Sequence, residues 1–388
     1  MASTSTSRYA NALLEQELWD DIIDRVSAGP FPLDQEISAY SLVSRAFSAR
    51  AQAHLFREIN FRRPTSRLPP RNKPYDQIAA SRRLRAVLQS SPHLAKFIRT
   101  ITIPCTPEII TEVSDMDLAD VNKICIEEAR ESPSTGLTIG TLRLLQALLG
   151  KPAVREVEIR CHYRCIFLSH IFRHPSPSMT VLCISTIECE CEEPPASSEL
   201  DFNGNLSLAP SITELRLQYC HNIGTWLAGP NCPFTFSRLI TADIQRSMSP
   251  NLGKILRDAP ALKSLTLRSL ELTEDMTADL DLSQFPALQH LSISAHSPRD
   301  LPAMATLVST AAPGNRIENV NVITADFYDV VNASAASGLD QILAGPLMAA
   351  LRTVEVDVVN PPWNDEIQTW FPALHEKGIL VMGQGYGW

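Results

Sequence analysis

The sequence predicts an α/β protein: an N-terminal helical segment followed by an irregular α/β solenoid with a parallel sheet. Three observations lead there. A triplet of the form apolar-x-x-apolar-x-apolar recurs in eight copies after residue 150. Short helical stretches closed by Pro or Gly stand between the copies. The stretch from Leu14 to Ile59 reads as two amphipathic helices and a short third turn.

The N-terminal part opens with Leu14, Leu18, Ile22 and Val26, spaced every four residues, with Trp19 and Ile23 one step round. That spacing lays one apolar stripe along a helix, while Asp20, Asp21, Asp24 and Arg25 fall on the solvated face. Gly29, Pro30 and Pro32 stop this helix, and Asp34 can cap the next. In the second segment Tyr40, Val43, Phe47, Ala51 and Leu55 keep helical spacing. Two short helices cannot bury both stripes on each other, so apolar surface remains for a partner.

The segment from Arg57 to Arg99 holds eleven Lys or Arg against two acids, although the whole chain carries a net charge of −9. Prolines at 64, 69, 70 and 74 break it, and Tyr75 is the one aromatic between Phe61 and Phe97. Stacking platforms for single-stranded nucleic acid are therefore missing, and the run reads as a solvated linker. Ser81–Ser91 then predicts a helix, Ile98/Ile101/Ile103 a first strand, and Leu142–Leu149 an apolar helix stopped by Gly150 and Pro152. Residues 105–138 are irregular and acidic, the least readable part of the body.

The repeating triplets are Val154/Val157/Ile159, Met179/Leu182/Ile184, Ile212/Leu215/Leu217, a weaker copy at Phe236/Leu239, Leu262/Leu265/Leu267, Leu288/Leu291/Ile293, Ile317/Val320/Val322 and Leu351/Val354/Val356. Their mean spacing of about 28 residues and their L-x-x-L-x-L core resemble leucine-rich repeats. Because strand side chains alternate, the second and third positions share one side, which stacked units bury as a continuous core. Polar residues between and beyond them, such as Arg216, Gln218, Ser264, Thr266, Arg268, Gln289, Ser292, Glu355 and Asp357, face outward. Arg216, Gln218, Thr266, Arg268 and Ser292 are the candidates for binding a target. The tail from Pro361 to Trp388 predicts a closing helix and strand that shield the last edge.

Composition is that of a soluble globular chain, 44% hydrophobic and 20% charged. No apolar run reaches eighteen residues and the N-terminus lacks the marks of a secretory signal, so neither export nor a membrane span is expected. Nine cysteines in no regular framework suit reduced thiols in the cytoplasm or nucleus. The strongest candidate for a metal centre is Cys161, His162, Cys165, His170 and His174, with Cys183, Cys189 and Cys191 following. Phe167, Leu168, Ile171 and Phe172 interleave it as a buried helix face and no C-x-x-C pair occurs, so reduced core cysteines are expected and no metal. Nucleophile-elbow, phosphate-loop and H-E-x-x-H motifs are absent, which predicts a non-enzyme without cofactors.

Leu14, Leu18, Ile22 and Ile23, then Leu42-Val43-Ser44-Arg45-Ala46-Phe47, then His54-Leu55-Phe56-Arg57-Glu58-Ile59, resemble the F-box of fungal F-box proteins. The likeness covers 46 of 388 residues, Leu14–Ile59, and Glu15 stands where the family has Pro. It implies a substrate-receptor subunit of an SCF-type cullin–RING ubiquitin ligase, acting in ubiquitin-dependent protein degradation. The helices dock on a Skp-type adaptor within the cullin complex, and the solenoid holds an unidentified target protein; the catalytic cysteine chemistry belongs to other subunits. By matching positions, the adaptor-facing or supporting apolar set is Leu14, Leu18, Trp19, Ile22, Leu42, Val43, Phe47, Leu55 and Phe56. The expected division is an F-box-like domain at 10–60, a basic linker and helix at 61–92, and the solenoid at 93–388. Nucleic acid and membrane are not expected partners. Two other classes stay open: a non-ligase repeat scaffold with a degenerate F-box, which Glu15 favours, and an enzyme built on the Cys/His cluster.

Overall fold

A computed structural model of the chain describes residues 45–61, 76–128, 138–160, 168–185, 209–220, 223–230, 232–245, 251–268, 280–295, 300–324, 331–358 and 364–383. It divides into two compact units, Met1–Ser132 with Leu137–Val154, and Pro133–Gly136 with Arg155–Trp388.

In the first unit, α1 (Arg45–Leu55) leads directly into β1 (Glu58–Asn60). The helix α2 (Gln77–Ser90) starts where Asp76 accepts a hydrogen bond from the Ala79 amide at 2.9 Å. Then follow β2 (Thr100–Pro104), α3 (Pro107–Ser114), β3 (Lys123–Glu127) and α4 (Ile139–Leu149). Strands β1, β2 and β3 pair in that order, all parallel. Ile98, Ile101 and Ile103 are fully buried, as the sequence predicts, and so are Val121 just before β3 and Ile124 and Ile126 within it, in the irregular, acidic stretch that was the least readable. That stretch is therefore a further copy of the same unit. Its three apolar residues follow an acidic run and include no leucine. The basic run is partly spoken for within this unit: Arg82 and Arg85 reach Glu112 at 3.1 and 2.8 Å, Arg85 reaches Asp115 at 3.1 Å, and Arg99 lies 3.7 Å from Asp120.

The second unit is built from β4 (Glu156–Arg160), α5 (Leu168–Ile171), β5 (Val181–Ser185), β6 (Glu214–Gln218), α6 (Ile223–Leu227), β7 (Thr241–Gln245), α7 (Leu252–Arg257), β8 (Ser264–Arg268), β9 (His290–Ala295), α8 (Leu301–Ser309), β10 (Asn319–Thr324), α9 (Val331–Ala344), β11 (Thr353–Val358), α10 (Asn364–Trp370), α11 (Pro372–Glu376) and β12 (Leu380–Met382). From β4 to β12 each strand pairs in parallel with the next in sequence, with no crossover. This is the topology of an α/β solenoid, in which every unit contacts its neighbours alone.

One backbone motif repeats along the ladder. The carbonyl of the residue entering a strand accepts two N–H groups from the start of the next strand. Arg155 receives Thr180 and Val181, Thr180 receives Thr213 and Glu214, and Thr213 receives Ile240 and Thr241. The series continues through Ile240, Lys263, Gln289 and Glu318. A second motif precedes it. A turn closed by an i to i−3 bond inserts the first triplet position, as at Val154, Met179, Leu239, Leu262, Leu288 and Leu351. The second and third positions pair in two continuous apolar rows, Val157–Leu182–Leu215–Ala242–Leu265–Leu291–Val320–Val354 and Ile159–Ile184–Leu217–Ile244–Leu267–Ile293–Val322–Val356, all buried.

The weak fourth copy is corrected by this register. Its triplet is Leu239/Ala242/Ile244, and Phe236 belongs to the turn before it, accepting from the Leu239 amide at 2.9 Å. A small alanine at the second position hides the strand from a search for large residues. The closing elements fall where the tail predicts them, with β12 parallel to β11. Buried Asp340 of α9 fixes the end: its two carboxylate oxygens accept from the amides of Ala373 and Leu374 at 2.9 and 3.0 Å, satisfying the open N-terminus of α11.

Candidate binding surface

Alternation that buries two rows on one side of the second unit's sheet places three polar rows on the other. The central row runs Glu158, Cys183, Arg216, Asp243, Thr266, Ser292, Asn321 and Glu355, each residue in register with the next. A second row runs Arg160, Ser185, Gln218, Gln245 and Arg268, and on β9 to β11 Ser294, Ile323 and Asp357 continue that position. The third holds Glu156, Val181, Glu214, Thr241, Ser264, His290, Asn319 and Thr353.

All five residues assigned to target binding lie here. Arg216, Thr266 and Ser292 belong to the central row, with Gln218 and Arg268 beside them. Arg216, Gln218 and Arg268 are exposed, and Thr266 and Ser292 are half-buried. Four members of the central row stand outside the outward-facing set read from the sequence: Glu158, Cys183, Asp243 and Asn321. The misplaced fourth triplet concealed Asp243. Asn321 sits between the second and third triplet positions of its own copy, as Arg216 and Thr266 do, so that signal was available.

Charges at the β4 to β8 end are neutralised in place. Arg160 Nε lies 2.5 Å from Glu158 Oε1, Arg216 Nε lies 2.6 Å from Glu214 Oε1, and Arg268 lies 4.0 Å from Asp243. Burial pushes the Asp243 carboxyl above the ordinary carboxylate range, against the opposing pull of Arg268 and Arg216. At the far end Asn319 Nδ2 and His290 Nδ1 stand 3.1 Å apart, and Asn321 Nδ2 donates to Asp357 Oδ2 at 3.3 Å and to Glu355 Oε2 at 3.5 Å. Asp357, expected to face solvent, shares this side but is 2% exposed. Its carboxylate occupies the space a side chain at Gly383 would fill, since a Cβ there would stand 1.5 Å from Oδ1.

Elsewhere in the unit, Leu227, Cys232, Phe234 and Ile255 line an open recess of about 460 Å³, with Lys254 and Asp258 also on its wall. Phe172, Trp226 and Phe234 form an aromatic cluster beside it, with ring centroids 5.1 to 6.1 Å apart. Burial pushes the Cys232 thiol up to about 11, and burial with the nearby Glu128 does the same to Cys105, so neither presents a thiolate at neutral pH.

Of the Cys/His cluster, residues 161–167, Cys189 and Cys191 lie outside the described residues, while Leu168, Ile171 and Phe172 are buried and His174 is exposed. Among the described residues no group of three His, Cys, Asp or Glu gathers as a metal site. Also among them, no helix is long and apolar enough to cross a membrane.

The adaptor-facing set falls largely beyond view. Leu14, Leu18, Trp19, Ile22, Leu42 and Val43 lie outside the described residues, as does the side chain of Phe47 within α1. Leu55 and Phe56 close α1 half-buried, and Ala51 of the same helix is fully buried. No protein-family model matches the chain, and no curated protein matches it.

Proposed function

We propose that this chain is the substrate-receptor subunit of an SCF-type cullin–RING ubiquitin ligase. Its N-terminal helices dock on a Skp-type adaptor, and the polar side of its second-unit sheet holds a target protein. The chain contributes proximity and orientation, with ubiquitin transfer performed by other subunits. The F-box-like stretch supplies the adaptor half of this reading. The observation that carries the target half is the three-row polar side, which stacking leaves open while it buries the opposite rows. The order of parts supports the same reading. The Leu55-Phe56 pair that closes the F-box-like stretch leads into β1, which opens the run of strands. Glu15, where the resembled family has proline, favours the second reading: a repeat scaffold whose F-box no longer joins a ligase.

Co-purification with a Skp-type adaptor separates the two. The full chain recovers the adaptor, and the double variant Leu18→Asp/Phe47→Asp does not, while its circular dichroism stays that of the parent. Equal recovery by the variant rejects the docking stripe. No recovery by the parent leaves the scaffold reading standing.

A further inference from the structure

Carboxylates on the polar side of the second-unit sheet belong to two populations. On β4 to β8 three stand beside an arginine: Glu158 meets Arg160, Glu214 meets Arg216, and Asp243 lies 4.0 Å from Arg268, its buried Oδ1 making no hydrogen bond. On β9 to β11 the described residues facing this side include no Lys or Arg. Glu355 and Asp357 share a single donor, the Asn321 amide, at 3.5 and 3.3 Å. Two carboxylates therefore converge on one NH₂ group. After that sharing, Asn321 Oδ1 and Asp357 Oδ1 still have no hydrogen-bond partner, though both atoms are buried.

A buried acceptor without a donor forfeits its hydration and gains nothing in exchange. Such a cost persists where a donor arrives from outside the chain. Among the described residues the cluster has one donor, the Asn321 amide, and no positive charge, and a guanidinium or ammonium group brings both. Glu355 is half-buried and is the member that meets a partner first, and Asp357, at 2% exposure, lies beneath the shared amide. Immediately across the ladder, Ser292 and Thr266 continue the row as neutral positions, so a bound segment following the row meets no opposing charge before Arg216 and Arg268.

We propose that the β10–β11 end of this side receives an arginine or lysine side chain of the target protein, so that the segment bound there is basic. The inference rests on the reading of the polar side as target-binding and gives that partner a charge. At the β4–β8 end the carboxylates already meet arginines, so that end gives a basic segment no comparable anchor.

The test uses the full chain and two synthetic twelve-residue peptides, one alternating Arg and Ser and one alternating Glu and Ser, read by fluorescence anisotropy at physiological salt. Binding of the Arg peptide and none of the Glu peptide is expected, with Glu355→Gln weakening the Arg peptide about tenfold. The control Glu376→Gln removes the same charge from the exposed end of α11, outside the three rows, and leaves affinity within about twofold. Equal weakening by both variants, or an Arg peptide that ignores Glu355→Gln, overturns the inference in favour of general attraction to an acidic chain. A parallel adaptor co-purification keeps the two readings apart. Glu355→Gln retains the adaptor, and Leu18→Asp/Phe47→Asp retains the peptide. Loss of peptide selectivity with the adaptor still bound sinks the basic-target inference alone. Loss of the adaptor with selectivity intact sinks the ligase reading alone.

Discussion

The two sides of the second-unit sheet are made by the same strands and obey different rules. On one side Leu215, Ala242, Leu265, Leu291, Val320 and Val354 are each buried to 2% exposure or less, and folding leaves them little freedom of identity. On the other side Arg216, Asp243, Thr266, Ser292, Asn321 and Glu355 occupy equivalent positions, where the constraints are pairings such as Arg216 with Glu214, Asp243 with Arg268 and Asn321 with Glu355. Stability is stored on the first side, and the proposal assigns recognition to the second. Substitutions that break this contrast should therefore split cleanly between loss of fold and loss of binding.

The largest effect falls on the apolar side. Leu265→Ala removes a fully buried side chain from the middle of the ladder and is expected to cost about 2–5 kcal/mol, read by chemical denaturation. At the end of the ladder, Asp340→Ala strips the amides of Ala373 and Leu374 of their acceptor. A loss of about 1–3 kcal/mol is expected, concentrated in hydrogen exchange of α10, α11 and β12. Gly383→Ala sharpens the comparison from the polar side, since its methyl group needs the space held by the Asp357 carboxylate. The carboxylate must swing away from Asn321, so this variant should weaken the basic peptide while costing about 1–3 kcal/mol, the usual range for overpacking.

The smallest effect is a change of sign. The folded chain holds the Asp243 proton to higher pH than the unfolded chain does, because burial outweighs its arginines. Ionising it therefore removes stability as pH rises through and above the ordinary carboxylate range. Asp243→Asn should be neutral or stabilising by less than about 1 kcal/mol at pH 7, given the half-exposed setting, with the gain vanishing as pH falls below that range. A variant clearly less stable than the parent at pH 7 shows instead that the Arg268 contact dominates.

How much of this was legible depended on which physical demand a residue answers. Stacked repeats require large apolar side chains at fixed offsets, so seven of the eight triplets could be read from Val154 to Val356 as they stand in the structure. The copies that escaped broke the size rule or the context. Ala242 is small, and Val121, Ile124 and Ile126 follow an acidic stretch. The polar rows were legible as a surface, because alternation fixes which residues face away from the core. Their pairing was not. Asn321, Glu355 and Asp357 meet across a separation of more than thirty residues, and only strand register brings them together. Nor does sequence disclose that Asp357 is buried, because its cover depends on the missing side chain at Gly383.

The central claim is that the N-terminal stretch meets an adaptor while the ladder serves something else. Amide hydrogen exchange of the full chain, with and without a Skp-type adaptor, tests it most directly. The account predicts slowed exchange confined to Leu14–Phe56, with β4 to β12 unchanged. Unchanged exchange across Leu14–Phe56 in the presence of saturating adaptor contradicts it.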